Sequence, residues 1–189
     1  MLIEANNEER KVFFVDAAHF VMGGFLGYIW CFVRLFLHTS SGRQRYNVLG
    51  AVDAFSKELI SVCNTTYINA QSVCELLNKI RLRCENFSIT LIMDNARYQK
   101  CKLVMQYAKE LNIDLLFLPS YSPQLNLIER LWKWVKKECL YCKYYETFEQ
   151  FKTAIDNSLA KVGQNDHKET FDKLLSQNFQ TFNETQFIT

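Results

Sequence analysis

Six short apolar segments, each about the length of one β-strand, constrain the fold of this 189-residue chain more than any other feature. Short runs rich in β-branched and aromatic side chains are typical of strands that are buried in a sheet. The six segments are Lys11 to Ala17, Tyr28 to Leu37, Tyr46 to Ala54, Leu59 to Cys63, Ser88 to Met93 and Ile113 to Leu118. We therefore expect a central β-sheet.

Helical periodicity begins only after the fourth of these segments. The predicted helices are Asn69 to Arg83, about Gln99 to Leu111, Asn126 to about Tyr141, Phe148 to Val162 and Lys168 to Phe179. Several strands thus come first, helices and strands then alternate, and helices follow. This order predicts an α/β or α+β layer fold with a mixed sheet.

Two features of the composition limit where the protein acts. Seven scattered cysteines and a polar, acidic stretch from Met1 to Lys11, with no apolar core of a secretory leader, indicate a reducing cytoplasm. The longest apolar run, Phe20 to Val33, is interpreted as a loop followed by a buried strand. It is shorter than the roughly 18 residues that a spanning helix needs, so no membrane partner is expected.

Two aspartates end apolar strands and are candidates for metal chemistry. Asp16 is predicted at the carboxyl end of the first strand, and Asp94 directly follows Met93. Carboxylates that meet at one sheet edge repel each other, and a hard divalent cation such as Mg²⁺ relieves that repulsion. Each aspartate alone is equally well explained as a turn former or helix cap. On pattern alone, Asp53 is as good a first ligand as Asp16.

Glu129 has two interpretations that the residues leave open. It follows Asn126 by three positions, which is the spacing of a capping box with Asn126 as the N-cap. The alternative is a third carboxylate that enters a metal site from a helix.

Three segments together resemble the catalytic motifs of mariner-type DDE transposases, in particular the bacterial insertion-sequence branch. They are FVDAAH from Phe14, LIMDNARY from Leu91 and LPSYSPQLNLIERLW from Leu118. Between Asp94 and Glu129 lie 34 residues, the spacing that is typical of that branch. The resemblance covers roughly Lys11 to Tyr145.

The resemblance implies a ribonuclease H-like α/β fold, with a mixed central sheet and helices on both faces. It makes Asp16, Asp94 and Glu129 the catalytic carboxylates, which hold two Mg²⁺ ions that Mn²⁺ can replace. Asp53 then becomes structural. The implied reaction is two-metal DNA strand cleavage and strand transfer at transposon ends, into TA targets, by a homodimer. Residues 11–145 would form the catalytic domain, after a short lead-in at 1–10 and before C-terminal helices at 146–189.

The sequence departs from the family pattern in two ways that bear on activity. Ser120 and Leu127 stand where relatives often have proline, and Ala17 stands where many have glutamate. We also expect the end-reading helix-turn-helix part to come from an upstream half of a split or frameshifted transposase. The alternative is a catalytically silent remnant that binds and inhibits intact transposase. A Holliday-junction resolvase is a third interpretation, but the YSPQLNLIERLW segment argues against it.

Positive charge for DNA contacts must be local, because the formal net charge is only +2. The candidates are Arg43, Arg45, Asn95, Arg97, Arg130, Lys133, Lys136 and Lys137. A zinc site at Cys139 and Cys142 is not expected, since zinc needs four ligands and no second pair exists. His19, Trp30, Trp132 and Trp134 are interpreted as structural residues.

Overall fold

The computed structural model describes residues 10–23, 32–34, 36, 44–119 and 122–177. Within these ranges five strands form one sheet in the order β3-β2-β1-β4-β5. The strands are β1 (Arg10–Val21), β2 (Arg45–Asp53), β3 (Leu59–Asn64), β4 (Ser88–Met93) and β5 (Ile113–Phe117). The pairs β1–β2 and β2–β3 are antiparallel, whereas β1–β4 and β4–β5 are parallel. The predicted mixed sheet is confirmed.

Five α-helices accompany the sheet in the described part of the chain. They are α1 (Ala70–Arg83), α2 (Lys102–Glu110), α3 (Ile128–Leu140), α4 (Phe148–Ala160) and α5 (Lys168–Leu174). Single 3₁₀ turns lie at Pro123–Leu125 and Asn165–His167. Across the described ranges, none of these helices has the length and apolar character needed to cross a membrane.

Alternate side chains of β1 pack into two separate hydrophobic cores, one on each face of the sheet. Phe14 and Phe20 belong to a core with buried residues of α3, α4 and α5. Phe13 and Val15 belong to a second core with buried residues of α1 and α2. This period-two alternation is what a strand covered on both faces requires. The expected α/β architecture with helices on both faces is therefore confirmed.

The first strand is longer than the sequence indicates. β1 continues to Val21, which pairs with Arg45, because β2 provides an antiparallel partner along its full length. The beginning of the Phe20 to Val33 run is therefore strand rather than loop. The strand expected at Tyr28 to Leu37 lies largely outside the described residues, and residues 32–34 and 36 form no strand.

The helix boundaries shift by a few residues. The helix predicted from Gln99 begins at Lys102, and the one predicted to reach Phe179 ends at Leu174. Residues beyond 177, together with Trp30 and Arg43, lie outside the described part of the chain. The division into a lead-in, a catalytic domain and C-terminal helices stays a prediction.

Candidate active site

Asp16 and Asp94 lie side by side at one place on the sheet. The parallel pairing of β1 with β4 ends where Val15 pairs with Met93. Asp16 and Asp94 are the residues that directly follow this last pair. Asp94 follows the end of β4 as predicted. Asp16 does not end its strand, which corrects the prediction, because antiparallel β2 carries β1 onward. Only the pairing with β4 ends at Asp16, and this leaves the space beside Asp94 that the end of a strand would also leave.

Glu129 reaches this place from the first turn of α3. Burial raises the pKa of Asp16 to about 7, and repulsion from the carboxylates of Glu129 and Asp94 adds to that effect. Hydrogen bonds from the Ala17 backbone and the Trp132 side chain lower the pKa of Asp16 without cancelling the rise. The three carboxylates that were predicted from motifs distant in sequence therefore share one electrostatic environment.

The carboxylates do not form a preassembled ligand cage. Among the residues that the structure describes, no three Asp, Glu, His or Cys side chains are arranged to hold a metal ion together. Their convergence is electrostatic, and metal-bridging geometry at Asp16, Asp94 and Glu129 stays a prediction.

Trp132 is a hydrogen-bond donor to Asp16 as well as a core residue. The indole is 2% exposed, and its Nε1–H donates to Asp16 Oδ2 at 3.1 Å. Gly50 pairs with Asp16 across the sheet, and a Cβ there would lie only 2.7 Å from Trp132 Cη2. A glycine at that position therefore makes room for the ring. The sequence analysis identified Trp132 as structural but missed its bond to the acid, although its place three residues after Glu129 was a signal.

Asn126 is buried beside Asp94 and does not cap the helix. Its Nδ2 donates to Val15 O at 3.1 Å and lies 3.4 Å from Asp94 Oδ1. Helix α3 has Leu127 at its N-cap, with no side-chain capping bond. The capping-box interpretation of Asn126 and Glu129 is therefore wrong, because Asn126 Oδ1 accepts no N–H of the first helical turn and Nδ2 bonds to β1 instead.

Asp53 is a structural residue at the other end of the sheet. It pairs with Phe13, at the start of the antiparallel β1–β2 ladder, away from Asp94. Its side chain is almost fully buried, and Oδ1 accepts from the backbone N–H groups of Phe55 and Ser56 at 2.7 and 2.8 Å. Asp53 thus closes the turn between β2 and β3.

Most of the DNA-contact candidates are on the surface. Six are exposed, namely Arg45, Asn95, Arg97, Lys133, Lys136 and Lys137. Lys133 and Lys137 lie one and two turns after Glu129, and neither forms a salt bridge with a described residue. Arg130 is partly buried and donates to Ser176 O at 2.8 Å, and Asn95 donates to Leu118 O at 2.5 Å. Arg43 lies outside the described residues.

The residues that were interpreted as structural have ordinary structural partners. His19 Nδ1 lies 2.7 Å from Asn47 Oδ1, and Trp134 packs edge-on against Phe171. Tyr98 was missed by the sequence analysis. Burial and the nearby charge of Asp16 raise its pKa to about 12, so its hydroxyl lies near the carboxylates and stays protonated.

Solved structures with a similar fold come from DNA transposases and viral integrases. The Mos1 transposase paired-end complex with left transposon end has a TM-score of 0.61 at 13% identity, covering 96% of this chain and 60% of that chain. The Mos1 mariner paired end complex with Mn has a TM-score of 0.61 at 14% identity, covering 93% and 57%. The HTLV-2 integrase catalytic core domain in complex with magnesium, in its trimeric form, has a TM-score of 0.52 at 14% identity, covering 79% and 82%. This chain thus spans about 60% of the length of the Mos1 transposase chain.

A sequence-family model matches most of this chain, although its identities to the solved structures are low. A comparison with curated protein sequences gave no significant match. The family model described as DDE superfamily endonuclease matches residues 11–152, which include all three candidate carboxylates. That range is most of the chain, and the sheet and helices agree with the ribonuclease H-like fold. The chain therefore belongs to the DDE superfamily of endonucleases.

Proposed function

We propose that this chain is the catalytic domain of a DNA transposase, which cleaves DNA at transposon ends and joins it to a target. One observation carries the proposal. A partly buried aspartate, Asp16, is repelled by Asp94 and Glu129 at the point where the parallel pairing of β1 and β4 ends. Proteins avoid such a cluster of like charges unless a cation or a reaction uses it.

The donor set suits hard divalent cations. The candidate ligands Asp16, Asp94 and Glu129 offer only carboxylate oxygens, which favour Mg²⁺ or Mn²⁺ over zinc. Asp16, Asp94 and Glu129 would together hold two such ions. When bound, such a pair of ions activates an attacking water or DNA 3′-hydroxyl and stabilises the leaving oxygen. The Mos1 complex with Mn and the integrase core with magnesium are consistent with this choice.

The chain's own residues would prepare the site for that chemistry. The Trp132 indole donates a hydrogen bond to Asp16 Oδ2 and thereby orients this carboxylate. The Tyr98 hydroxyl stays protonated beside the acids and can donate to a phosphate oxygen. Together these groups orient a carboxylate and offer a donor to the DNA backbone.

The surface around Glu129 supports DNA as the partner. Lys133 and Lys137 present exposed positive charge on the same helix, and phosphate contacts of this kind give sequence-independent affinity. We propose that recognition of transposon ends requires a helix-turn-helix part of the same transposase, and that the active form is a homodimer inserting at TA sites.

A cleavage assay tests the proposal. The 189-residue chain, alone and fused to a helix-turn-helix part, is incubated with transposon-end DNA in Mg²⁺, Mn²⁺, Ca²⁺ or EDTA. We expect cleavage in Mg²⁺ and Mn²⁺ by the fusion, at most slow nicking by the chain alone, and no cleavage by Asp94→Asn. A folded fusion that never cleaves would instead support the inhibitory-remnant alternative.

A further inference from the structure

Asn126 touches all three chain segments that carry the candidate carboxylates. Its Nδ2 donates to Val15 O, next to Asp16 on β1. The same Nδ2 lies 3.4 Å from Asp94 Oδ1, after β4. Its backbone carbonyl accepts the N–H of Glu129 at 3.2 Å, at the start of α3.

The orientation of the Asn126 amide is fixed by its partner. A backbone carbonyl only accepts hydrogen bonds, so the nitrogen must face Val15 O and the oxygen must face the other way. That oxygen, Oδ1, is buried and has no hydrogen-bond partner among the residues that the structure describes, in a residue that is 1% exposed. A buried unpaired acceptor destabilises the folded state, which makes it unusual at a site with no use for it.

We propose that Asn126 is the positioning residue that assembles the metal site, an inference that rests on the proposed function. Its Nδ2 holds Oδ1 of Asp94 and leaves the other carboxylate oxygen for a divalent ion. Its free Oδ1 accepts a hydrogen bond from a water in the hydration shell of that ion, since Mg²⁺ keeps several waters when bound to protein.

The choice of an amide follows from the charges around it. A lysine or arginine at this position would neutralise the carboxylates and compete with the cation. A carboxylate would add a further negative charge beside Asp94. A neutral amide fixes Asp94 without either effect, as outer partners of metal ligands commonly do. The 3.1 Å bond anchors it to β1, while Asp94 stays at the limit of hydrogen-bonding distance and can adjust.

The test measures Mn²⁺ affinity by titration calorimetry on the full chain, without DNA. The variants are Asn126→Ala, Asp94→Asn and the matched control Asn47→Ala. Asn47 is equally buried at 1% exposure and binds His19, Asn64 and Thr66, but none of the three acids. We expect Asn126→Ala to weaken Mn²⁺ binding about 10- to 100-fold. Asn47→Ala should change it less than about twofold, whatever its stability.

The outcomes separate this inference from the proposed function. If the wild-type chain binds no Mn²⁺ at this site, so that Asp94→Asn changes nothing, the proposed function fails and the inference fails with it. If the wild type binds Mn²⁺ and Asp94→Asn abolishes binding, but Asn126→Ala matches the wild type, only the inference is overturned.

A second measurement avoids any loss of folding in Asn126→Ala. Asparagine-selective ¹⁵N labelling of the wild-type chain makes its side-chain amide resonances visible during a Mg²⁺ titration. We expect the Asn126 amide signals to shift in step with metal binding and those of Asn47 to stay in place. A stationary Asn126 amide at saturating Mg²⁺ would overturn the inference without any substitution.

Discussion

The chain contains the tripeptide Val-Asp-Ala twice, and the two copies have opposite roles. In Val15-Asp16-Ala17, burial and repulsion by two other acids raise the pKa of the aspartate to about 7. In Val52-Asp53-Ala54 the aspartate is 3% exposed, and two backbone N–H groups bind its Oδ1. Local sequence is the same in both places, so the surroundings alone make the difference.

Strand direction explains the contrast. Asp16 lies where β1 loses its parallel partner β4, and loops after parallel strands gather at that edge. Asp53 ends an antiparallel strand that turns at once into β3, so its nearest polar groups are the N–H groups of its own turn. A strand-terminal aspartate is thus a candidate ligand beside a parallel neighbour and a turn residue in a hairpin.

The largest expected effect is on catalysis. Asp16→Asn keeps the shape of the side chain but removes the charge, and we expect single-turnover cleavage by the fusion to fall more than about 1000-fold, or about 4 kcal/mol. Asp53→Asn keeps the acceptor oxygen of the turn and should leave the cleavage rate within a few fold. Equal losses in the two folded variants would remove the functional contrast between the tripeptides.

Substitutions at Asp16 and Asp53 should change the free energy of unfolding in opposite directions when it is measured without metal. The pKa of Asp16 lies near 7 in the folded protein, above its usual 3.8, so the folded state holds this proton more tightly than the unfolded state. Wild-type stability therefore falls as pH rises from about 4 to 7, and the penalty is fully present above pH 7. Asp16→Asn avoids it and should be more stable at pH 8, by at most about 4 kcal/mol.

Asp53→Ala should instead make the folded protein less stable. It leaves the N–H groups of Phe55 and Ser56 without their acceptor, which costs about 1–3 kcal/mol. Urea unfolding in EDTA at pH 5 and pH 8 measures both variants. If Asp16→Asn gives no gain at pH 8 over pH 5, the pKa of Asp16 is not raised by its burial and its acidic neighbours.

The sequence predicted the strands and the fold class because these depend on local periodicity. Apolar runs such as Ser88 to Met93 and Ile113 to Leu118 carry the strand signal in their own residues, so their boundaries were close. The full length of β1 was missed because it depends on pairing with β2, a contact that no local pattern encodes.

The candidate site was predictable only in part, for a similar reason. Motif spacing selected the three acids, and the family match includes them. Local pattern alone could not separate Asp16 from Asp53, since they differ in neighbours rather than in sequence. It also left a capping box at Asn126 open, because the spacing to Glu129 is correct and only the fold brings Val15 within reach.

Gly50 offers a smaller test of what distinguishes Asp16. Gly50→Ala would place a Cβ 2.7 Å from Trp132 and push the indole away from Asp16. Overpacking of this kind costs about 1–3 kcal/mol, and we also expect weaker Mn²⁺ binding. Gly23→Ala is the matched control, since among the described residues a Cβ there meets only Val21 O at 4.0 Å. Thermal unfolding and calorimetry on both variants decide whether the glycine opposite Asp16 is required.

The smallest expected effect concerns which surface binds DNA, the one on the helix of Glu129 or the one near Asp53. Lys133 and Lys137 lie on the helix of Glu129, so we expect Lys133→Ala/Lys137→Ala to weaken DNA binding equally for all sequences. The control removes the same charge near the Asp53 turn, as Lys168→Ala/Lys173→Ala on α5.

Each lost phosphate contact should reduce the magnitude of the slope of log affinity against log salt by about 0.9. The slope should therefore become shallower by about 1.8 in Lys133→Ala/Lys137→Ala and stay unchanged in the control. Gel-shift titrations of the 189-residue chain at several salt concentrations measure both slopes. Equal slopes in the two double variants would mean that α3 is not the DNA-facing surface. The basic residues beyond Glu129 would then be an ordinary solvated helix face.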